Sequence, residues 1–384
     1  MAGPDGENFM EDYKYTAIVE WIKDYIASNG LKPNDRFLTE KELCTIHNVS
    51  RQTVRQALMQ LERDNILCRV RGSGTFIKST VSEVSAPGLN VDGSSVGVIS
   101  TYFSDYIFPH IVTGIEKVLN DAGLPMQLSI THNQVTEETQ ALKSMIARGV
   151  RGLIVEPSKS ALPNPNTELY REIKMNRIPL VFFNAKYPWA DFPCVAMDDE
   201  AAGKLVTDHL FDCGHRNIAG LFLMDDIQGH KRYSGFINSC IAHGRKDSEK
   251  YVVWYSSAEK KDLFVNSKNR ILELLGKVTA VVCYNDLLAA NLLRFCRENA
   301  ISVPDDISVT GIDDSSYAEL CDVPLTTVRH PHRRLGEAAA KELLRLMDNN
   351  GAEPEDIIFT PELIVRDSVK KLDGAESSAA IRMA

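Results

Sequence analysis

From residue 95 onward, short apolar runs alternate with helical stretches, and this alternation fixes the class of fold. The first runs are "SVGVIS" (95–100), "PMQLSI" (125–130), "GLIVEP" (152–157), "PLVFFN" (179–184) and "CVAMDD" (194–199), with helical spacing over 109–121 and 137–148. The alternation continues with a helix at 200–212, a strand at 218–223, a helix at 230–243, a strand at 251–255 and a helix at 261–274. A strand at 280–284, a helix at 286–299 and a strand at 308–313 follow. Near-continuous apolar strands joined through helices belong to parallel sheets covered on both faces. Roughly 270 residues of this pattern exceed one doubly wound sheet, so two lobes are expected over 96–370.

The first 78 residues follow a different pattern. In "KYTAIVEWIKDYIAS" (14–28), Ile18, Trp21, Ile22, Tyr25 and Ile26 share one helical face. Thr39 and Glu42 have capping-box spacing, and Ser50 is a good N-cap for a third helix over 51–64. That helix would bury Val54, Ala57, Leu58 and Leu61, leaving Arg51, Gln52, Arg55 and Gln56 outward. Helix, tight turn and helix is the layout in which the second helix offers its N-terminal side chains to the major groove. "ILCRVRGSGTFI" then reads as a hairpin wing with Arg69 and Arg71 beside Gly72 and Gly74. The polar, Pro87-containing stretch 79–95 reads as a linker, giving a DNA-binding domain over 10–78.

Charge supports the division. The chain carries a formal −9, yet Arg36 to Lys78 holds eight basic and four acidic residues. One small module is therefore suited to meet a polyanion while the bulk is not. No run of about 18 apolar residues points to a membrane span. The start lacks a signal pattern, and residues 1–9 read as a lead, so a cytoplasmic protein is expected. The eight Cys form no C-x-x-C pair, so reduced thiols are expected and no metal site. No P-loop, G-x-S-x-G, H-E-x-x-H or dinucleotide fingerprint occurs, so neither a cofactor nor an enzyme is expected.

Ligands of parallel sheets bind beyond the carboxyl ends of the strands. Those positions hold Tyr102, Asp105 and Tyr106, then Glu156 and Lys159, then Asn184. In the second half they hold Asp225, Asp226 and Arg232, Asn285 and Asp286, Asp313 and Asp314, and His330. Carboxylates, amides and an arginine pair with sugar hydroxyls, and an aromatic face covers the C–H side. Asp286 and Asp314 are equally explained as helix N-caps.

Residues 14–78, through "DRFLTEKEL", "VSRQTVRQALMQLERDNIL" and "RGSGTFI", resemble the winged-helix domain of the GntR family of bacterial regulators. The resemblance implies DNA contacts from Arg36, Ser50, Arg51, Gln52, Thr53 and Arg55, with Arg71, Gly72 and Gly74 at the wing. Phe37-Leu38-Thr39 departs from the family's usual Leu-Pro-Ser. Residues 95–370 resemble the LacI/GalR effector domain, akin to periplasmic sugar-binding proteins. "ARGVRGLIVEP", "VAMDDEAAGKLVTDHLFDCGHRNIAGL", "AVVCYNDLLAANLLRFC" and "VPDDISVTGIDDS" carry that likeness. It implies an effector held by Arg232, Asn285 and Asp313, with His330 beside them. On the first-lobe side it implies Tyr102, Asp105, Tyr106, Glu156, Lys159 and Asn184.

The fusion resembles a family of Gram-positive operon repressors. It implies a homodimer that binds double-stranded operator DNA and is released by a sugar, L-arabinose. A different sugar, a ligand that tightens DNA binding, and a sugar-converting enzyme stay open as alternatives.

Overall fold

The computed structural model describes residues 18–77 except 20, 23, 24, 27–30, 32–34, 48, 64, 65 and 71–73, then 94–103, 106–348 and 353–372. The chain divides into two compact units, Met1–Asn90 and Val91–Ala384, and the division falls inside the predicted linker.

In the first unit, α1 (Glu40–His47) and α2 (Arg51–Arg63) precede an antiparallel hairpin of β1 (Leu67–Val70) and β2 (Gly74–Ile77). The capping box forms as its spacing predicts. Thr39 N donates to Glu42 Oε2 at 2.7 Å, and Glu42 N donates to Thr39 Oγ1 at 3.3 Å. Ser50 Oγ accepts from Thr53 N at 3.2 Å and caps α2. The expected apolar face of α2, Val54, Ala57, Leu58 and Leu61, is fully buried against Ile18, Ile22, Phe37 and Leu43. Each of the Val, Leu, Ile and Phe side chains contributes about 1.5–3 kcal/mol by leaving water, enough to hold a small core. Phe37 N donates to Thr75 O and Ile77 N to Asp35 O, so residues 35–37 run along the hairpin edge.

The second unit runs β3 (Val96–Ser100), α3 (Phe108–Asp121), β4 (Met126–Ile130), α4 (Val135–Ala147), β5 (Gly152–Val155), α5 (Thr167–Met175), β6 (Leu180–Phe183) and β7 (Cys194–Met197). It continues with α6 (Asp199–Asp212), β8 (Ile218–Leu223), α7 (Ile227–Ala242), β9 (Val252–Tyr255), α8 (Leu263–Asn266), α9 (Lys268–Leu275), β10 (Ala280–Cys283) and α10 (Asp286–Glu298). The last elements are β11 (Ser308–Thr310), α11 (Ser316–Leu320), β12 (Thr327–Arg329), α12 (His332–Asp348), β13 (Ile357–Phe359) and β14 (Glu362–Ile364). Two parallel sheets result, ordered β13-β7-β6-β5-β3-β4 and β11-β10-β8-β9. They are the cores of the two lobes foreseen from the alternation.

The chain crosses between lobes three times. It leaves the first after β7, since α6 packs on the second sheet through Ala202, Val206 and Leu210. It returns after β12, since Leu335, Ala339 and Leu343 of α12 cover Val98, Ile154 and Val181 of the first sheet. After β13 it crosses again, and β14 pairs antiparallel with β12. The Asp198 amide donates to Phe359 O at 2.9 Å and ties the first crossing to the third.

In each lobe a helix pair meets through glycine. A Cβ on Gly235 of α7 would lie 2.0 Å from the Glu200 carbonyl oxygen, and one on Gly203 of α6 would lie 2.1 Å from that of Arg232. In the first lobe, Gly336 of α12 faces the Ile111 carbonyl at 2.0 Å in the same way.

Candidate functional sites

In the first unit, Arg51 and Arg55 project from the first two turns of α2 and are exposed, as is Arg36. The Arg55 guanidinium pairs with Glu40 of α1 at 3.1 Å, an exposed contact that breaks at little cost. Gln52 lies in the first turn of α2, and Gly74 opens β2. Thr53 departs from expectation. It is 3% exposed, and its hydroxyl lies 2.8 Å from Ser50 Oγ, so it serves the helix start rather than the outer face. Arg71 and Gly72 fall outside the described residues.

In the second unit, the carboxyl ends of both sheets face one cavity. β3 leads into Thr101 and Tyr102, β5 into Glu156, and β6 into Asn184. From the other lobe, β8 leads toward Asp226, β10 into Tyr284 and Asn285, and β11 toward Asp313.

Arg232, in the second turn of α7, is 2% exposed and organises the second-lobe wall. Its Nε donates to Asp199 Oδ1 at 2.8 Å, Nη1 to Tyr284 O at 2.7 Å and Nη2 to Asp313 Oδ1 at 3.2 Å. The guanidinium also lies 4.8 Å from the centre of the Tyr284 ring. Burial opposes its charge, but Asp313 and Asp199 more than offset this and hold its pKa well above the usual arginine value. Burial pushes the Asp199 carboxyl up to about 6 although Arg232 pulls it down. Asp313 is likewise raised by burial and lowered by Arg232. Its other oxygen accepts the Tyr106 hydroxyl, which comes from the first lobe. Asp286 lies behind Asp313 and is pushed up to about 8, by burial first and then by the Asp313 charge.

On the first-lobe wall Glu156 accepts from Thr101 N at 2.8 Å, Thr101 Oγ1 at 2.6 Å and Asn184 Nδ2 at 2.7 Å. Burial raises its pKa, and the Thr101 and Asn184 hydrogen bonds counter that. Asn184 lines the cavity, and its Oδ1 is buried without a hydrogen-bond partner among the described residues. Tyr106, Asn184 and Asp313 have φ of 70°, 61° and 118°. Left-handed backbone at three wall residues is stored strain of the kind that gathers at binding sites.

The lobes touch beside the cavity. Ser160 Oγ donates to Asp226 Oδ1 at 2.8 Å and accepts from Ile227 N at 2.9 Å. Lys260 extends from the second lobe over the Tyr102 ring at 5.6 Å. Tyr102 is pushed up to about 12, by burial and then by Glu156. Closely placed acceptors and donors around aromatic faces suit a small polyhydroxylated ligand.

Seven of the expected effector residues line this cavity: Tyr102, Tyr106, Glu156, Asn184, Arg232, Asn285 and Asp313. Lys159 does not, since its backbone turns at φ 45° and its amide is held by Asn133 Oδ1 at 2.7 Å. His330 does not either. It is buried on the second crossing, between β12 and α12, stacked on His332 at 5.1 Å, with burial pushing its pKa well down. Asp105 lies outside the described residues. Sequence reasoning missed Gln228, Ser257 and Lys260 in the cavity wall. The carboxyl-end rule applied to "YVVWY" would have led to "SSAEK", which holds the last two. Asn285, rather than Asp286, caps α10, accepting from Leu288 N at 3.0 Å.

Residues 14–77 match the bacterial regulatory proteins of the gntR family, and residues 207–369 match the periplasmic binding protein-like domain. The arabinose metabolism transcriptional repressor of Geobacillus stearothermophilus is 42% identical over 94% of this chain and 98% of its own length. The chain belongs to this family of transcriptional repressors. The repressor of the same name from Halalkalibacterium halodurans is 36% identical over 92% of this chain and 96% of that one.

Among solved structures, the transcription regulator GntR from Chromobacterium violaceum aligns with a TM-score of 0.62 at 28% identity, covering 71% of this chain and 98% of that one. A LacI family regulator from Enterococcus faecium with bound ribose aligns with a TM-score of 0.62 at 24% identity, over 73% of this chain and all of that one, and shares the fold. The repressor is thus a sugar-responsive regulator with a DNA-binding domain, and not an enzyme. Among the described residues no helix is long and apolar enough to cross a membrane.

Proposed function

We propose that the effector of this repressor is L-arabinose, bound between the lobes of the second unit, and that its binding releases operator DNA. The observation that carries this reading is the Arg232–Asp313–Tyr106 chain. A residue of each lobe meets at one buried carboxylate on the wall of a hydroxyl-matching cavity. The name shared by the two relatives supports arabinose as the sugar. The wall sets three acidic side chains, Glu156, Asp226 and Asp313, against two cations, Arg232 and Lys260, and Arg232 is already held by carboxylates, which favours an uncharged sugar over a phosphorylated one.

The repressor works in the cytoplasm as a homodimer, two winged helices meeting two half-sites of one operator. Arg36, Ser50, Arg51, Gln52 and Arg55 contact DNA, with Arg71, Gly72 and Gly74 at the wing. Arg pairs bidentately with guanine and Gln with adenine, while Ser and Gly amides hold phosphate. Sugar that favours the closed lobes shifts the population away from the DNA-competent state, so sugar and operator weaken each other reciprocally.

The test is calorimetric titration of the full chain with L-arabinose, D-xylose, D-galactose and D-ribose. Binding is then repeated on DNA selected from a random pool by the unliganded protein. Selective L-arabinose binding and at least a tenfold loss of DNA affinity at saturation are expected. Tighter DNA binding with sugar would reverse the sign and make the ligand a corepressor.

A further inference from the structure

Behind the first-lobe wall lies a carboxylate surrounded by neutral donors. Glu138, in the first turn of α4, is fully buried. A buried carboxylate is tolerated only where hydrogen bonds replace water. Glu138 Oε1 accepts from Asn164 Nδ2 at 3.3 Å, Asn166 Nδ2 at 3.1 Å and the Tyr170 hydroxyl at 3.1 Å. Oε2 accepts from the Ser158 amide at 2.7 Å and lies 2.8 Å from the Tyr187 hydroxyl. That hydroxyl also sits 2.8 Å from the Ser158 carbonyl and takes a hydrogen bond from Asn164. Residues 158–166 are thereby wrapped around one side chain.

The same segment reaches the cavity and the other lobe. Glu156 and Pro157 line the wall just before it, and Ser160 lines the wall from within it. Ser160 makes the bridge to Asp226 and Ile227, and Asp226 in turn accepts from the Tyr284 hydroxyl at 2.6 Å. Glu138 holds the Ser158 amide, the backbone carries that anchor two residues on to Ser160, and hydrogen bonds continue from Ser160 to Asp226 and from Asp226 to Tyr284. Glu138 itself does not line the cavity.

We propose that Glu138 is a positioning residue for the effector response. It fixes residues 158–166 so that Ser160 bridges the lobes when the cavity is filled. The proposal rests on reading the cavity as the sugar site. A carboxylate suits the role because its two oxygens accept from donors on opposite sides. The glutamine amide presents one oxygen, and its NH₂ faces donors that need an acceptor. Glu138→Gln therefore keeps the volume and removes the hydrogen bonds on one side.

Hydrogen exchange on the full chain without sugar is the first arm. Peptides covering 157–166 are expected to exchange at least tenfold faster in Glu138→Gln, with α7 beyond its first turn unchanged. Uniform acceleration in both lobes would mean general destabilisation and overturn the proposal.

The second arm is L-arabinose affinity. A loss of at least tenfold is expected in Glu138→Gln and in Ser160→Ala. The double variant is expected to be no weaker than the weaker single one, because both act through one bridge. Additive losses, or an affinity within twofold of the parent in Glu138→Gln, would overturn it. If Glu138→Gln does not fold, Tyr187→Phe removes one member of the cluster and is expected to show a smaller change in the same direction; unchanged exchange there overturns the proposal. A parent protein that takes another sugar of the panel instead of L-arabinose fails the functional reading alone. The affinity arm then runs with that sugar, and the exchange arm is unaffected.

Discussion

Arg232 joins two carboxylates, a backbone carbonyl and an aromatic ring at a position 2% exposed. Removing one member of such a buried cluster leaves charges without partners, at a cost of about 3–5 kcal/mol. Arg232→Met is expected to weaken sugar binding at least 100-fold while leaving the separate winged-helix unit folded. Its signature in a DNA-release assay is an operator complex that sugar no longer dissociates.

The acids nearby carry a pH prediction. Asp199 and Asp286 have folded-state pKa values of about 6 and about 8, raised from the ordinary 3.8. The folded state therefore holds protons that the unfolded state releases. Their contribution is fully favourable below about pH 4 and is lost as pH rises, through about 6 for Asp199 and about 8 for Asp286. Asp286→Asn mimics the protonated form. It is expected to gain on the parent in unfolding temperature between pH 5 and pH 8, and a constant difference across that range would contradict the assignment.

At this scale strand-end positions were legible from the sequence, and side-chain direction was not. Lys159 and His330 stand at plausible places in the chain. A left-handed turn takes one off the cavity, and stacking on His332 takes the other. The strained φ of Tyr106, Asn184 and Asp313 leaves no sequence signal at all.

Helices placed by glycine are the lever at the scale of elements. Arg232 is aimed by α7, whose distance from α6 is set where Gly235 meets the Glu200 carbonyl. A methyl group there must push the helices apart. Gly235→Ala is expected to destabilise the second unit by about 1–3 kcal/mol. Sugar affinity should fall with it, read by thermal unfolding alongside titration.

In the first unit the Thr39–Glu42 capping box offers a milder test. Thr39→Ala is expected to cost about 1 kcal/mol of stability in the winged helix and none in the second unit. The long apolar strands and the amphipathic α2 were legible because each repeats its period several times. Three-residue strands such as β12, β13 and β14 contain too few residues to show one. The expected helix over 261–274 is broken at Ser267 into α8 and α9. Helical periodicity alone did not register that break.

For the whole molecule, an acidic chain that holds DNA must do so through a local field. Operator affinity should fall steeply with salt. Arg51→Ala should reduce the slope of log affinity against log salt by about 1 if that guanidinium meets phosphate, and leave it unchanged if it meets only bases. The arrangement of a DNA-binding head before a two-lobed sheet domain was legible from alternation and charge placement. The three crossings were not, because they depend on which sheet a helix covers.

Those crossings have a consequence for inheritance. The first lobe is assembled from 96–197 together with 332–359, and the second from the segments between and after them. No single cut in the coding sequence separates them. A gene fusion can replace the contiguous winged helix at one junction and so re-address the repressor to new operators. Half of the cavity cannot be exchanged that way, so ligand preference must change by point substitution or be acquired whole.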